Sequence, residues 1–424
     1  MDIKLYEIKK IITSPIVIAL TTIFILFNIF VIFNNSYIRD DLKLISNIIG
    51  EFGYEINDEV IKSMQEKNNE NLNKLNKLTI KKLNKRYESI EEFFESDQYQ
   101  NNIYQDDIFT QRELSFLKEI NLLYMYSVLA VDLVDSYENI NIMKVAKSDI
   151  KAYGLSKKAS EIAIQNYKNL EERFEEIKDN KEHKNFFFFG KSYQTHSMLF
   201  GDLFSSCIYQ IMILVVLITS YLINYEFDNK TSLVVYSSKR GRKNDKDKLM
   251  ICIVSALIVS TLILGISLLA YFIVFDYSKV INVPINSVFN WENPQPYISW
   301  FNHTILERIV VSIFVVLISA IIFTGITFII SKLIKSSYIV FFIFFIVFGI
   351  NIIIPTLVGT SSGLIMYLQY DVFSLILNPH MWFMSKAPLI INKYYELITL
   401  SSWLVIIVIG SLYVMNRFKK QDIS

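Results

Sequence analysis

Six apolar runs dominate this chain, each long enough, or nearly so, to carry a helix across the roughly 30 Å hydrocarbon core of a bilayer. They cover Ile11 to Phe33, Leu203 to Asn224, Leu249 to Phe275, Ile309 to Ile330, Tyr338 to Thr356 and Ser401 to Met415. Lipid offers no water to backbone amides and carbonyls, so such runs must bond internally as helices. At 52% hydrophobic over 424 residues, the chain is also too apolar for an ordinary soluble protein. The predicted class is an all-α membrane protein: six transmembrane helices plus a helical extracytoplasmic domain between the first and second. The first run is too long for a signal-peptide core, and no small-x-small cleavage site precedes Asn34 and Asn35. It is expected to stay as an anchor.

Sidedness follows from Lys and Arg beside the spans. Lys4, Lys9 and Lys10 precede the first run, and a basic loop follows the second. Lys332 and Lys335 separate the fourth from the fifth, and Arg417, Lys419 and Lys420 follow the sixth. If each run crosses once, all four clusters share one side, which the positive-inside rule makes cytoplasmic. Both termini are then cytoplasmic. The chain divides into a cytoplasmic lead-in helix and first span (residues 1–33), an extracytoplasmic helical domain (34–202), and a five-helix transmembrane domain (203–424) with a cytoplasmic loop at 225–248.

The external segment contains no Pro, few Gly, and many Glu, Lys, Leu, Ile and Asn. From Leu72 to Lys85, apolar side chains recur along one helical stripe. Phe116, Leu117, Ile120, Leu122, Leu123, Met125, Leu129, Val131, Leu133 and Val134 predict a more apolar helix at the core of a bundle. A third amphipathic helix is expected from Ser156 to Asp179. Such a bundle can shape or gate an exit, hold a cargo or recruit a partner. Gly190-Lys191-Ser192 looks like the end of a phosphate-binding loop, but Asn185 stands where that motif needs Gly. The preceding Phe186 to Phe189 are expected to anchor the domain at the membrane surface.

Little in the chain suits catalysis. The centres of the six runs hold no Asp, Glu, Lys, Arg or His, which argues against an ion-driven carrier or an intramembrane enzyme. His183, His196, His303 and His380 lack paired metal spacing and read as surface or interfacial residues. Cys207 and Cys252 lie within apolar runs and read as small buried hydrophobes. A net charge of +1 gives no footprint for nucleic acid. No cofactor or metal site is predicted, so transport would draw its energy from elsewhere.

The basic loop is where a motor could act. From Tyr225 to Lys248 it reads Tyr-Glu-Phe-Asp-Asn-Lys-Thr-Ser-Leu-Val-Val-Tyr-Ser-Ser-Lys-Arg-Gly-Arg-Lys-Asn-Asp-Lys-Asp-Lys. Glu226 stands at the span end, and Thr231, Leu233 and Val234 form a short amphipathic turn. Ser237, Ser238, Lys239, Arg240 and Arg242 follow, and Lys248 closes the loop. This arrangement resembles the coupling helix of the bacterial ABC-2-type exporter permeases. It departs from that pattern in lacking Pro in the Ser-Ser stretch and in carrying Asn229-Lys230 where Gly is common.

Leu5 to Pro15 is similar to the family's amphipathic lead-in helix, with Leu5, Ile8 and Ile12 toward lipid and Glu7 and Lys10 toward water. Gly363 to Tyr370 and Asp371 to Phe383 resemble its external half-helices. The resemblance covers both ends of the chain and all six spans; the 34–202 domain lies outside it.

What it implies is a permease subunit of a bacterial cell-membrane exporter. Two permeases, identical or related, would pair and bind cytosolic ABC ATPase subunits that hold the ATP. Glu226, Thr231, Ser237, Ser238, Lys239, Arg240, Arg242 and Lys248 are the expected coupling residues. Among them Lys239, Arg240 and Arg242 are expected to touch the ATPase or the acidic membrane lipid beside it. An uncharged pathway suits an amphipathic or lipid-like cargo such as an antimicrobial peptide. A sodium extruder of similar layout, and a membrane receptor signalling through the external bundle, are the alternatives.

Overall fold

The computed structural model describes residues 7, 9–11, 13–102, 108–237, 245–291, 297–385 and 388–420. Its regular structure is helical, with isolated β-bridges only. The first long helix, α1 (Pro15–Asn34), starts with Pro at a position whose fixed φ suits a helix and whose missing N–H is not needed. A polar layer follows: α2 (Arg39–Phe52), α3 (Asp58–Leu83), α4 (Ile90–Glu95), α5 (Asp97–Asn102), α6 (Gln111–Glu138), α7 (Ile142–Ala152) and α8 (Lys157–Asp179). The apolar part comprises α9 (Gly190–Asp228), α11 (Asp245–Val274), α12 (Ile305–Leu333), α13 (Ser337–Leu357) and α16 (Tyr395–Lys420). A short α10 (Ser232–Ser237) lies in the basic loop, and α14 (Leu364–Tyr367) and α15 (Val372–Leu375) precede α16.

Local chemistry accounts for the ends. In α3 the Asn57 side chain accepts from Val60 N at 2.9 Å, acids fill the first turn, Lys81 and Lys82 the last, and left-handed Asn84 stops the helix. Capping boxes start α6 (Thr110 with Glu113) and α12 (Thr304 with Glu307).

All six apolar runs become helices, but seven described helices are long and apolar enough to cross a membrane. The seventh is α6, with a mean hydropathy of 1.3 over its best window, against 2.1 for the next lowest. It packs chiefly against α2, α3 and α4, burying Leu117, Ile120, Leu123, Tyr126, Ala130 and Val134. Val128 and Val131 remain exposed. Of the others, α9 is central, with 72% of its window buried against α1, α11, α12 and α13, whereas only 11% of the α13 window is buried.

Two expectations are corrected in the segment joining the polar layer to α9. Phe186, Phe187 and Phe188 do not line a membrane surface; all three are buried, with Phe186 5.1 Å from the Tyr126 ring and Phe187 4.9 Å from His196. His183 and His196 are likewise interior rather than surface residues. Aromatic runs satisfy a protein core and a bilayer interface equally well, and here the core takes them.

The polar layer is fastened to the 275–304 loop by Arg173. Its guanidinium grips Glu182 at 2.5 and 3.1 Å and donates through Nε to Ser299 O at 3.2 Å. Asn286 donates to Glu182 at 3.1 Å and accepts from Ser299 N at 2.8 Å. A second seam joins α8 to α14 through Leu155, Ala159, Ala163, Ile365 and Met366. The two expected half-helices shorten to α14, α15 and a turn at Pro379–Met381, locked by Trp382 Nε1 donating to Leu375 O at 2.9 Å.

Candidate functional site

The basic end of the apolar helices gathers charge that the sequence scatters over more than three hundred residues. Glu226, in the last turn of α9, is 4% exposed, and Lys248, in the first turn of α11, is 1% exposed. The two side chains pair directly, and Lys248 Nζ also donates to Leu222 O at 3.2 Å. The two ends of the basic loop are thus bonded to each other inside the protein. Lys10, from the helical residues before α1, reaches the same carboxylate at 3.7 Å. It also pairs with Glu7 at 3.0 Å and lies over the Tyr225 ring at 3.9 Å.

A second pair lies beside the first. Asp245 opens α11 and meets Lys332, from the end of α12, at 2.6 Å. Lys332 stands 4.4 Å over Phe418 of α16. Tyr236 of α10 is buried against Phe227 and Phe418, at 5.6 and 5.3 Å, and its hydroxyl finds no partner among the described residues. Burial, helped by the Glu226 and Asp245 carboxylates, pushes its phenol up from the usual tyrosine range. Glu7, Glu226 and Asp245 balance Lys10, Lys248 and Lys332, so the cluster is neutral as a whole. Buried pairs contribute little net stability, but they penalise every arrangement that leaves one partner alone. They fix how α9, α11 and α12 meet.

Between the clamped ends, Thr231 turns the chain. Its N–H donates to Glu226 O at 2.8 Å to finish α9, and its carbonyl accepts from Val235 N at 3.1 Å inside α10. Left-handed Lys230 (φ 55°) makes the corner. Ser237 closes α10 by donating to Val234 O at 3.0 Å. Leu233 and Val234 stand out from the protein, 62% and 76% exposed.

The structure brings Glu226 and Lys248 together with Thr231 between them, whereas Ser238, Lys239, Arg240 and Arg242 lie outside the described residues. Glu226 and Lys248 face inward and hold the two ends of the loop together. Sequence reasoning missed Asp245, Tyr236 and the pairing of Lys332, which it read for topology alone. The available signal was position: each charge lies within a turn of an apolar run, where a helix end is already half inside. Among the described residues no group of His, Cys, Asp and Glu could hold a metal ion. No family model, no curated protein and no solved structure matches the chain, so the family resemblance rests on its own residues.

Proposed function

We propose that this chain is the membrane-spanning permease subunit of an ATP-driven exporter, with the basic loop in the cytoplasm and the polar helical layer outside. The observation that carries the reading is the clamped loop. Glu226 and Lys248 lock its two ends, while α10 presents Leu233 and Val234 to solvent. Exposed apolar side chains on a rigidly seated helix suit docking into a groove of another protein. A push there would pass through two buried ion pairs into α9, α11 and α12. An amphipathic or lipid-like cargo such as an antimicrobial peptide suits the uncharged span centres. Two copies, or this chain and a relative, would complete the pathway in a bacterial cell membrane.

A second reading, a receptor that senses through its external layer, has support in the Arg173–Ser299 and Asn286–Glu182 bonds, which would carry motion between that layer and the 275–304 loop. The test separates the two. Affinity-tagged chain is expected to bring down a nucleotide-binding ATPase. Leu233→Asp together with Val234→Asp is expected to lose that partner while the protein stays folded. Recovery of equal ATPase by the double variant would remove α10 as the docking helix, and recovery of none by the wild type would favour the receptor.

A further inference from the structure

Arg308 differs from every other deeply buried cation described so far. Lys248 has Glu226, Lys332 has Asp245, Lys10 has Glu7 and Arg173 has Glu182. Arg308 is 2% exposed and lies within a helix able to cross a membrane, yet the described residues supply it with no carboxylate partner. Its Nη2 donates to His380 O at 3.2 Å, and its Nη1 has no acceptor among the described residues. Two phenyl rings flank the guanidinium, Phe200 at 5.8 Å and Phe383 at 5.5 Å. Cation–π contact of this kind offsets only part of the cost of removing a charge from water.

The surroundings combine the positive end of a helix with two carboxylates, Glu307 acting on His303 and Asp202 on His380, whose carbonyl Arg308 bonds. Arg308 occupies the first turn of α12, at the positive end of the helix dipole. The amides of that turn are committed: Ile305 N to Val283 O at 3.0 Å, Leu306 N to Ile281 O at 3.0 Å, and Glu307 N to Thr304 Oγ1 at 3.3 Å. The Glu307 carboxylate is committed to Thr304 in the capping box, so it serves the helix end. His303 shares the Phe383 ring, 5.9 Å away, and its Nδ1 is buried without a partner among the described residues. Phe200 is delivered by a π-helical turn at Met198–Leu203, an irregularity often found at functional sites. Beside Arg308, Leu306 and Val310 present apolar surface, 47% and 42% exposed.

We propose that Arg308 and His303 form a receptor for one oxyanionic group, a phosphate or carboxylate, at the end of α12 opposite the basic loop. The forked guanidinium fits two oxygens of such a group, and the neighbouring apolar turn can carry an attached chain. The site accepts an anionic lipid headgroup or the acidic end of an amphiphile. It rests on the membrane-crossing helices and holds whether or not a motor binds the basic loop.

The test uses the full chain, as wild type, Arg308→Gln and Arg308→Lys. Unfolding midpoints are measured in detergent with inorganic phosphate, and in phosphatidylcholine vesicles with and without phosphatidylglycerol. A ligand at one hundred times its Kd multiplies the folding equilibrium about a hundredfold, so a clear rise is expected for wild type. The rise should disappear in Arg308→Gln and persist in part in Arg308→Lys. A rise with phosphatidylglycerol alone identifies a lipid headgroup, and an equal saturable rise with phosphate alone identifies the free ion. Equal responses of wild type and Arg308→Gln to both additives would overturn the assignment. Should Arg308→Gln fail to fold, native mass spectrometry of wild type in mixed lipid decides: one retained phosphatidylglycerol supports the site, and none overturns it. Association with an ATPase in the same samples is expected to ignore Arg308, so its loss would count against the permease reading alone.

Discussion

Lys332 and Asp245 meet at 2.6 Å with 2% and 3% of their side chains exposed, joining the end of α12 to the start of α11. The pair runs parallel to Glu226–Lys248, which joins the end of α9 to the first turn of α11. Three helix ends are therefore fixed by two buried charge pairs, and α10 hangs from the loop between them. Asp245 Oδ2 has no donor among the described residues, so its carboxylate depends heavily on Lys332.

Removing one partner of such a pair should cost far more than removing both. Lys332→Met leaves a buried carboxylate unpaired and is expected to lower stability by about 3–5 kcal/mol. Adding Asp245→Asn should recover much of that loss. Unfolding of purified protein in detergent, run as a double-mutant cycle, measures the coupling. Strictly additive losses would mean that the two side chains do not act together.

Acid should loosen the joint between the polar layer and α9. His183 is fully buried, stacked on Tyr137 at 5.0 Å, with its Nε2 3.0 Å from Glu138 and Lys184 bonded to the same carboxylate. Burial holds its imidazole below the usual histidine range, against the pull of Glu138. The unfolded chain therefore takes up the proton first, near the ordinary value of about 6.5. Stability from this group is complete above that pH and is lost as pH falls, by at most about 1.4 kcal/mol per pH unit. Unfolding midpoints between pH 7.5 and 5.5 should fall in wild type and fall less in His183→Gln. Parallel slopes would clear His183 of the effect.

How far the sequence could be read follows from the same residues. The six apolar helices were visible because each is written as about twenty apolar residues in a row, the length a bilayer demands, which is a local property. The ends of the loop were visible for the same reason. Their partners were not: Asp245 and Lys332 lie 87 positions apart, and only packing of α11 on α12 brings them together. Phe186 to Phe188 misled because aromatic side chains suit an interface and a core alike. The seventh apolar helix, α6, arises because the central helix of a bundle needs apolar contacts on several faces, which raises its hydropathy toward that of a span.

Where α1, α9 and α11 meet, Asn28 bonds Gln210 in both directions, at 2.7 and 2.8 Å, and donates to Ser267 at 2.9 Å. Interhelical bonds of this kind in membranes are worth about 0.6 kcal/mol on average and up to about 1.7. Asn28→Leu is expected to cost about 1 kcal/mol or more, because it leaves the Gln210 amide buried without its partner. Asn28→Leu with Gln210→Leu should be closer to wild type than Asn28→Leu alone. Thermal unfolding in detergent orders the three proteins, and a double variant worse than the single would show that the amides bond elsewhere.

α12 crosses α16 closely, and the crossing depends on two glycines set against two isoleucines. A Cβ added at Gly325 would fall inside the Ile407 side chain, and one at Gly410 would come within 2.7 Å of Ile329 Cδ1. Small residues let helix backbones approach closely where lipid removes the hydrophobic drive for association. The consequences differ by position. At Gly410 the atom in the way is the far end of a flexible side chain, which can turn aside. At Gly325 the clash includes Ile407 Cγ2 and Cβ, close to the α16 backbone, so the helices themselves must part. Gly325→Ala is expected to cost about 1–3 kcal/mol by overpacking, and Gly410→Ala clearly less. Ile407→Ala opens a gap of its own, yet combined with Gly325→Ala it should cost less than the sum of the two single changes. A double variant at or beyond that sum in detergent unfolding would mean that the crossing is not set by this pair.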